Sequence, residues 1–255
     1  MPTLKKAATF RFYGDLNDFL PTDYRQSDVP YRFWGRPAVK DAIEAIGVPH
    51  PEVFYLQCGE TAIGFTCTLR DGNRISVYPY MPDAPPDAGW LHALMPEPPR
   101  FVLDGHLGQL ARTLRMLGLD TRYQNDHDDA VLARIAADGH RILLTRDVGL
   151  LKHRRITYGA FVRATDPGEQ IREVLRRYPL DAHLDPLTRC IRCNHVIEPV
   201  PKAEVADELP PRTQRDFDHF FQCTGCGQVY WKGSHYDRMQ QFVADLFADT
   251  NRLKR

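Results

Sequence analysis

Residues 101–120 read FVLDGHLGQLARTLRMLGLD, and residues 125–151 read NDHDDAVLARIAADGHRILLTRDVGLL. Phe101, Val102 and Leu103 form a short continuous apolar run, the pattern of a buried strand. Leu107, Leu110, Ala111, Leu114 and Leu117 then recur at helical spacing, and Gly118 stands where that helix should stop. Residues 121–124 predict another strand, and Val131, Leu132, Ile135 and Ala136 predict a second helix ending near Gly139. Residues 141–145 (RILLT) and 160–164 are further apolar strands. Asp166 and Pro167 then open a helix as N-cap and first helical residue, with Ile171, Val174 and Leu175 on its inner face. Strands alternating with helices require crossover connections, so this region predicts an α/β domain on a parallel sheet.

Ligands in such sheets collect beyond the carboxyl ends of the strands. Asp104 directly follows the first strand, and Asp147 follows the strand at 141–145. Asp126, Asp128 and Asp129 lie between the strand at 121–124 and the next helix. Hard oxygen ligands gathered without cysteine or histidine suit Mg²⁺ or Mn²⁺, ions that activate water against a phosphodiester. Aspartates also cap helices, so Asp126, Asp128 and Asp129 keep both readings. Between residues 141 and 177 there are nine Lys or Arg against four Asp or Glu, including Lys152, Arg154 and Arg155. A phosphate backbone would be drawn to that stretch, and so would solvent; both readings stay open. Arg112 and Arg115, on the helix after Asp104, add to the patch if they face the sheet edge. Thr145 and Arg146 are candidates to orient a phosphate.

The N-terminal 80 residues have a different rhythm. Residues 9–13, 53–56, 64–69 and 74–78 predict strands, and Val39, Ala42, Ile43 and Ile46 predict one helix closed by Gly47. This is a small α+β module. Prolines at 82, 85, 86, 96, 98 and 99 interrupt both helix and sheet, so the linker is placed at 81–99, with Trp90, Leu91 and Leu94 as residues that could pin it to a neighbour.

The chain has 255 residues with 33 basic and 33 acidic side chains, so global charge points to no partner and any nucleic-acid surface must be local. No apolar run approaches the ~20 residues of a membrane span. Residues 1–9 carry two lysines and no apolar core, unlike a secretory signal, so a cytoplasmic location is expected. Of six cysteines, Cys58 and Cys67 sit singly in apolar surroundings and read as small buried hydrophobes. Cys190, Cys193, Cys223 and Cys226 form two C-x-x-C pairs. Four thiolates leave no open coordination position, so these predict one structural zinc, with 29 residues between the pairs holding an insertion at 200–221.

The FxxDxxLGxLARxLRxLG segment, the DxxDxxL segment and the ILLTRDVGLL segment together resemble the PIN-like ribonuclease family named for the C-terminal region of the Mut-seven proteins. The resemblance continues through the four cysteines to residues 230–239, YWKGSHYDRM. It implies a PIN-like nuclease fold fused to a zinc ribbon, with Asp104, Asp128 or Asp129, and Asp147 as ligands of Mg²⁺ or Mn²⁺. Residues 1–80 resemble the ubiquitin-like β-grasp module attached to this family and related to sulfur carriers. Carriers end in an exposed Gly-Gly, whereas this strand runs on into Tyr78-Pro79-Tyr80. The expected organisation is a β-grasp module (1–80), a linker (81–99), a PIN-like domain (100–185), and a zinc ribbon with a terminal helix (186–255). The expected function is a metal-dependent ribonuclease with RNA as partner and a protein-docking β-grasp module. The alternatives are a non-catalytic RNA- or ribosome-associated adaptor and, more weakly, a component of a sulfur-transfer or ubiquitin-like pathway.

Overall fold

Alternation of apolar and polar residues builds the N-terminal sheet. In the computed structural model, which describes residues 5–81 and 89–253, strand β1 (Lys6–Phe12) turns Ala8, Phe10 and Phe12 inward. It pairs antiparallel with β2 (Asp28–Phe33). Helix α1 (Val39–Ile46) follows and ends at Gly47, whose φ of +135° is open to glycine and strained for other residues. Strands β3 (Tyr55–Cys58), β4 (Thr61–Ala62) and β5 (Arg74–Tyr78) complete a mixed sheet ordered β2-β1-β5-β3-β4, with β1 and β5 parallel. Phe10, Ile43, Leu56 and Val77 are fully enclosed between sheet and helix. Each such side chain contributes on the order of 1.5–3 kcal/mol of burial. Cys58 and Cys67 pack at the edge of this core.

Two expectations are corrected here. Residues 64–69 are not a strand; Thr68 makes an isolated bridge to Ala38, the residue before α1. Their carbonyls are needed elsewhere: Cys67 and Phe65 accept from the Val39 and Lys40 amides, donors that the first turn of α1 cannot satisfy itself. The strand expected at 53–56 begins two residues later, because a tight turn occupies His50–Glu52. Residues 82–88 of the proline-rich stretch lie outside the described residues. Beyond them the chain is pinned: the Leu91 amide donates to the Phe54 carbonyl, and Trp90 meets the Phe54 ring edge-on.

Strand β6 (Arg100–Leu103), helix α2 (Gly108–Met116) and strand β7 (Asp120–Tyr123) come next, with β6 and β7 in a parallel ladder. Helix α3 (Asp129–Asp138), strand β8 (Ile142–Thr145), helix α4 (Val148–Leu151) and strand β9 (Gly159–Phe161) repeat the pattern, with β8 and β9 parallel. Helix α5 (Pro167–Arg177) starts as expected, the Asp166 carboxylate accepting from the Glu169 amide. This is the parallel-sheet α/β domain. The chain continues through β10 (Ile197–Val200), α6 (Lys202–Val205), α7 (Pro211–Asp216), β11 (Phe220–Cys223) and β12 (Val229–Trp231) to α8 (Ser234–Leu253). Strands β10, β11 and β12 form an antiparallel ribbon. The two short helices lie within the expected insertion, and Val205 and Leu209 close a small core with Phe220 and Val229.

By contacts, the chain forms two compact units, residues 1–96 with 129–161 and residues 97–128 with 162–255. The first unit therefore joins the N-terminal module to the segment from α3 to β9. His50 lies within it with Nδ1 2.6 Å from Glu44 Oε1 and Nε2 2.6 Å from the Ile156 carbonyl. The fully buried Glu52 accepts from the Phe161 amide at 2.6 Å, and Phe19 meets the Phe161 ring edge-on. In the second unit Gly118 closes α2 with φ +88°, where any Cβ would collide with the Asp185 carbonyl.

Candidate functional site

The four cysteines are brought together by two similar turns. In the first, the Asn194 amide donates to the Cys190 carbonyl and Asn194 takes φ +75°; in the second, the Gly227 amide donates to the Cys223 carbonyl and Gly227 takes φ +71°. Their sulfurs all lie within 4.8 Å of one another, with Cys190 Sγ 3.7 Å from Cys226 Sγ and Cys193 Sγ 3.2 Å from Cys223 Sγ. A tetrahedral ion at about 2.3 Å from each sulfur needs them roughly 3.8 Å apart, so the donor set fits zinc. His195 stays outside it. Its ring packs on Gly225, where a side chain would collide with it.

Four thiols this close cannot all ionise independently. Burial raises the Cys190 thiol, but the Tyr230 hydroxyl (3.1 Å away) and nearby backbone amides outweigh it and hold Cys190 at about 6. Burial and the neighbouring sulfurs push Cys193 up to about 12. A dication removes this conflict by stabilising all four as thiolates.

The residues that brace the first cysteine turn carried no metal signal in the sequence. Arg115, expected at the substrate, is instead 4% exposed, and its guanidinium donates to the carbonyls of Thr121, Ile191 and Arg192. Burial lowers its pKa, and the adjacent Cys190 and Cys193 favour its charge. Its position was legible in hindsight: it falls four residues after Ala111, on the buried stripe of α2. Asn194 receives the Thr121 amide on its side-chain oxygen and donates to the Asp120 carboxylate. The knuckle is thereby tied to the end of α2 and the start of β7.

The aspartates occupy strand ends and helix starts. Asp104, half-buried, immediately follows β6. Asp126 and Asp128, both exposed, follow β7; the two loops meet where Gly105 packs on Asn125 and the Tyr123 hydroxyl donates to the Gly105 carbonyl. Asp129 is the first residue of α3. Asp147 follows β8 and caps α4, its Oδ1 accepting from the Gly149 amide at 2.6 Å and the Leu150 amide at 3.2 Å. Thr145 is buried, and its hydroxyl accepts from the Asp147 amide, so it shapes the loop rather than meeting a phosphate.

The basic candidates separate. Arg112, Arg154 and Arg155 are exposed and Arg146 is half-buried. Lys152 is half-buried, and its ammonium donates to the Glu44 carbonyl at 2.9 Å, joining the N-terminal module to the end of α4. Among the described residues, no helix is long and apolar enough to cross a membrane.

Residues 99–243 match the family described as the Mut7-C RNAse domain, and residues 5–84 match Mut7-C ubiquitin. Neither the curated proteins nor the solved structures contain a match.

Proposed function

The chain belongs to the Mut7-C RNAse domain family, and on that premise we propose that it is a metal-dependent ribonuclease that hydrolyses RNA phosphodiester bonds in the cytoplasm. Asp104, Asp128 and Asp147 are the residues to hold Mg²⁺ or Mn²⁺, with Asp129 or Asp126 as substitutes for Asp128. Such an ion would supply an activated water and charge stabilisation at the phosphate. The observation that carries the reading is the Asp147 loop. Both amide bonds fall on Oδ1 and the Thr145 hydroxyl fixes the backbone, so Oδ2 is the oxygen available to a cation. Asp104 has the equivalent position after β6, at the strand end where α/β proteins assemble their sites.

The remaining residues bind and orient. Arg112, Arg146, Arg154 and Arg155 are the cations for the RNA backbone. A thiolate-bound zinc suits a reducing compartment. The N-terminal module, matching a ubiquitin-like domain, is proposed to dock a protein partner. Incubating the zinc-loaded protein with a panel of RNAs in Mn²⁺, Mg²⁺ or neither tests the reading. Cleavage only with an added divalent ion is the expected result; RNA bound but uncut under every condition would move the protein to the adaptor class.

A further inference from the structure

Beside the zinc knuckle, wholly within the second unit, lies a groove of about 540 Å³ between the first knuckle, strand β12 and the start of α8. That volume is within the range of roughly 300–1,000 Å³ that small-ligand sites occupy. Its walls are aromatic: Tyr230, Trp231 and Tyr236 line it, each half-buried. Its charged residues are all cations, Arg189, Arg192 and Lys232, and no carboxylate is among the described residues that line it. For a chain whose acidic and basic residues are equal in number, that is a local separation of charge.

The rings are held in place. The Tyr230 hydroxyl is fixed on Cys190 Sγ, so its orientation follows the metal site. Trp231 lies against Gly233, where a Cβ would come within 2.9 Å of the indole nitrogen; a side chain there would displace the indole. Arg192 is steadied by Gln228 Oε1 at 2.7 Å, and the Lys232 ammonium lies 5.7 Å from the Tyr236 ring centroid. Preset aromatic faces with cations at the rim are what an unpaired nucleotide requires: a surface for its base and positive charge for its phosphate. A paired duplex hides its base faces and could not use the groove.

We propose that this groove binds unpaired nucleotides of an RNA strand, with a base against Trp231 and the adjoining phosphates near Arg192 and Lys232. The identity of the ligand rests on the ribonuclease reading, whereas the site itself rests on the groove. The ribbon would then select single-stranded RNA and hold it while other residues cut.

The test uses the full-length zinc-loaded protein without added Mg²⁺ or Mn²⁺, so that RNA stays intact. Fluorescence anisotropy compares a single-stranded RNA 12-mer, the same sequence as a blunt duplex, and a Glu-rich peptide. The single strand should bind most tightly. Trp231→Ala should weaken it about tenfold or more, Trp231→Phe should restore most of the loss, and Lys232→Gln should flatten the salt dependence by about one charge. Zinc content, measured on each variant, should stay at one equivalent. Wild-type RNA affinity in zinc-loaded Trp231→Ala would overturn the proposal, as would tight binding of the peptide with none of RNA. Trp231-dependent binding by a protein that cuts no RNA would sink the ribonuclease reading and leave this site standing. Cutting that is indifferent to Trp231→Ala, with wild-type affinity, would do the reverse.

Discussion

The two ends of the chain are fastened by different means. The C-terminal ribbon, whose four clustered cysteines fit a zinc ion, is joined to α2 and β7 by a buried arginine and an asparagine side chain. The N-terminal module is held to the segment from α4 to β9 by His50, Glu52 and Lys152 reaching backbone groups more than 100 residues away. The first joint is anchored on two short cysteine turns that share one donor set, and it should fail as one piece when the ion leaves. The second consists of separate polar contacts on a pre-existing hydrophobic core, and it should weaken by steps. Arg115 and Lys152 belong to opposite joints, yet as bare sequence both looked like cations for RNA.

Removing the zinc should have the largest effect. Zinc binding to comparable small sites is worth on the order of 10 kcal/mol, so Cys223→Ser should abolish stoichiometric zinc and unfold the ribbon. Amide exchange in β10, β11 and β12 should become fast while β1 and β5 stay protected. Equal loss of protection in both regions would erase the contrast between the joints. Acid should act like the mutation, because the thiolates must be protonated as zinc leaves: zinc retention should fall as pH falls, read by a chromogenic chelator.

Arg115→Met comes next. It removes one buried bond, to the Thr121 carbonyl, and two part-buried ones, to the Ile191 and Arg192 carbonyls, each worth about 0.5–1.5 kcal/mol. Zinc should be lost to a chelator faster, and Arg115→Lys should not rescue because an ammonium cannot reproduce the planar fork. An Arg115→Met variant as stable as wild type would remove Arg115 from the joint. At the other joint, Glu52→Ala should cost about 1–3 kcal/mol in denaturant unfolding by removing the buried carboxylate that accepts from the Phe161 amide, with zinc retention unchanged. Lys152→Met should have the smallest effect, about 1 kcal/mol or less, since it removes one partly exposed bond.

What could be read in the sequence follows the same division. Short-range patterns were legible. The C-x-x-C spacing, the Asp166-Pro167 helix start and the apolar runs before Asp104 and Asp147 each depend on residues within one turn or strand, and each has its expected structure. Residues 64–69 misled because an apolar stretch with strand character was recruited to cap α1, a choice made by tertiary contacts. Arg115 and Thr145, both buried, misled for a related reason. Charge and hydroxyl groups announce themselves in a sequence, but whether they face a ligand or a distant carbonyl is decided by the fold. The groove at Trp231 belongs to this class, since its walls come from segments some 40 residues apart.

The central claim, that Asp104 and Asp147 serve one metal-dependent cleavage site, is tested most directly by a double-mutant cycle on RNA cleavage in Mn²⁺. Asp147→Asn suits the purpose because asparagine also caps a helix, so α4 should keep its start. Each single substitution should lower the rate by about 100-fold or more with zinc still bound. Two residues acting as a unit are non-additive, so the double variant should be little worse than either single one. Multiplied effects in the double variant, or wild-type cleavage by either single variant, would contradict the shared site.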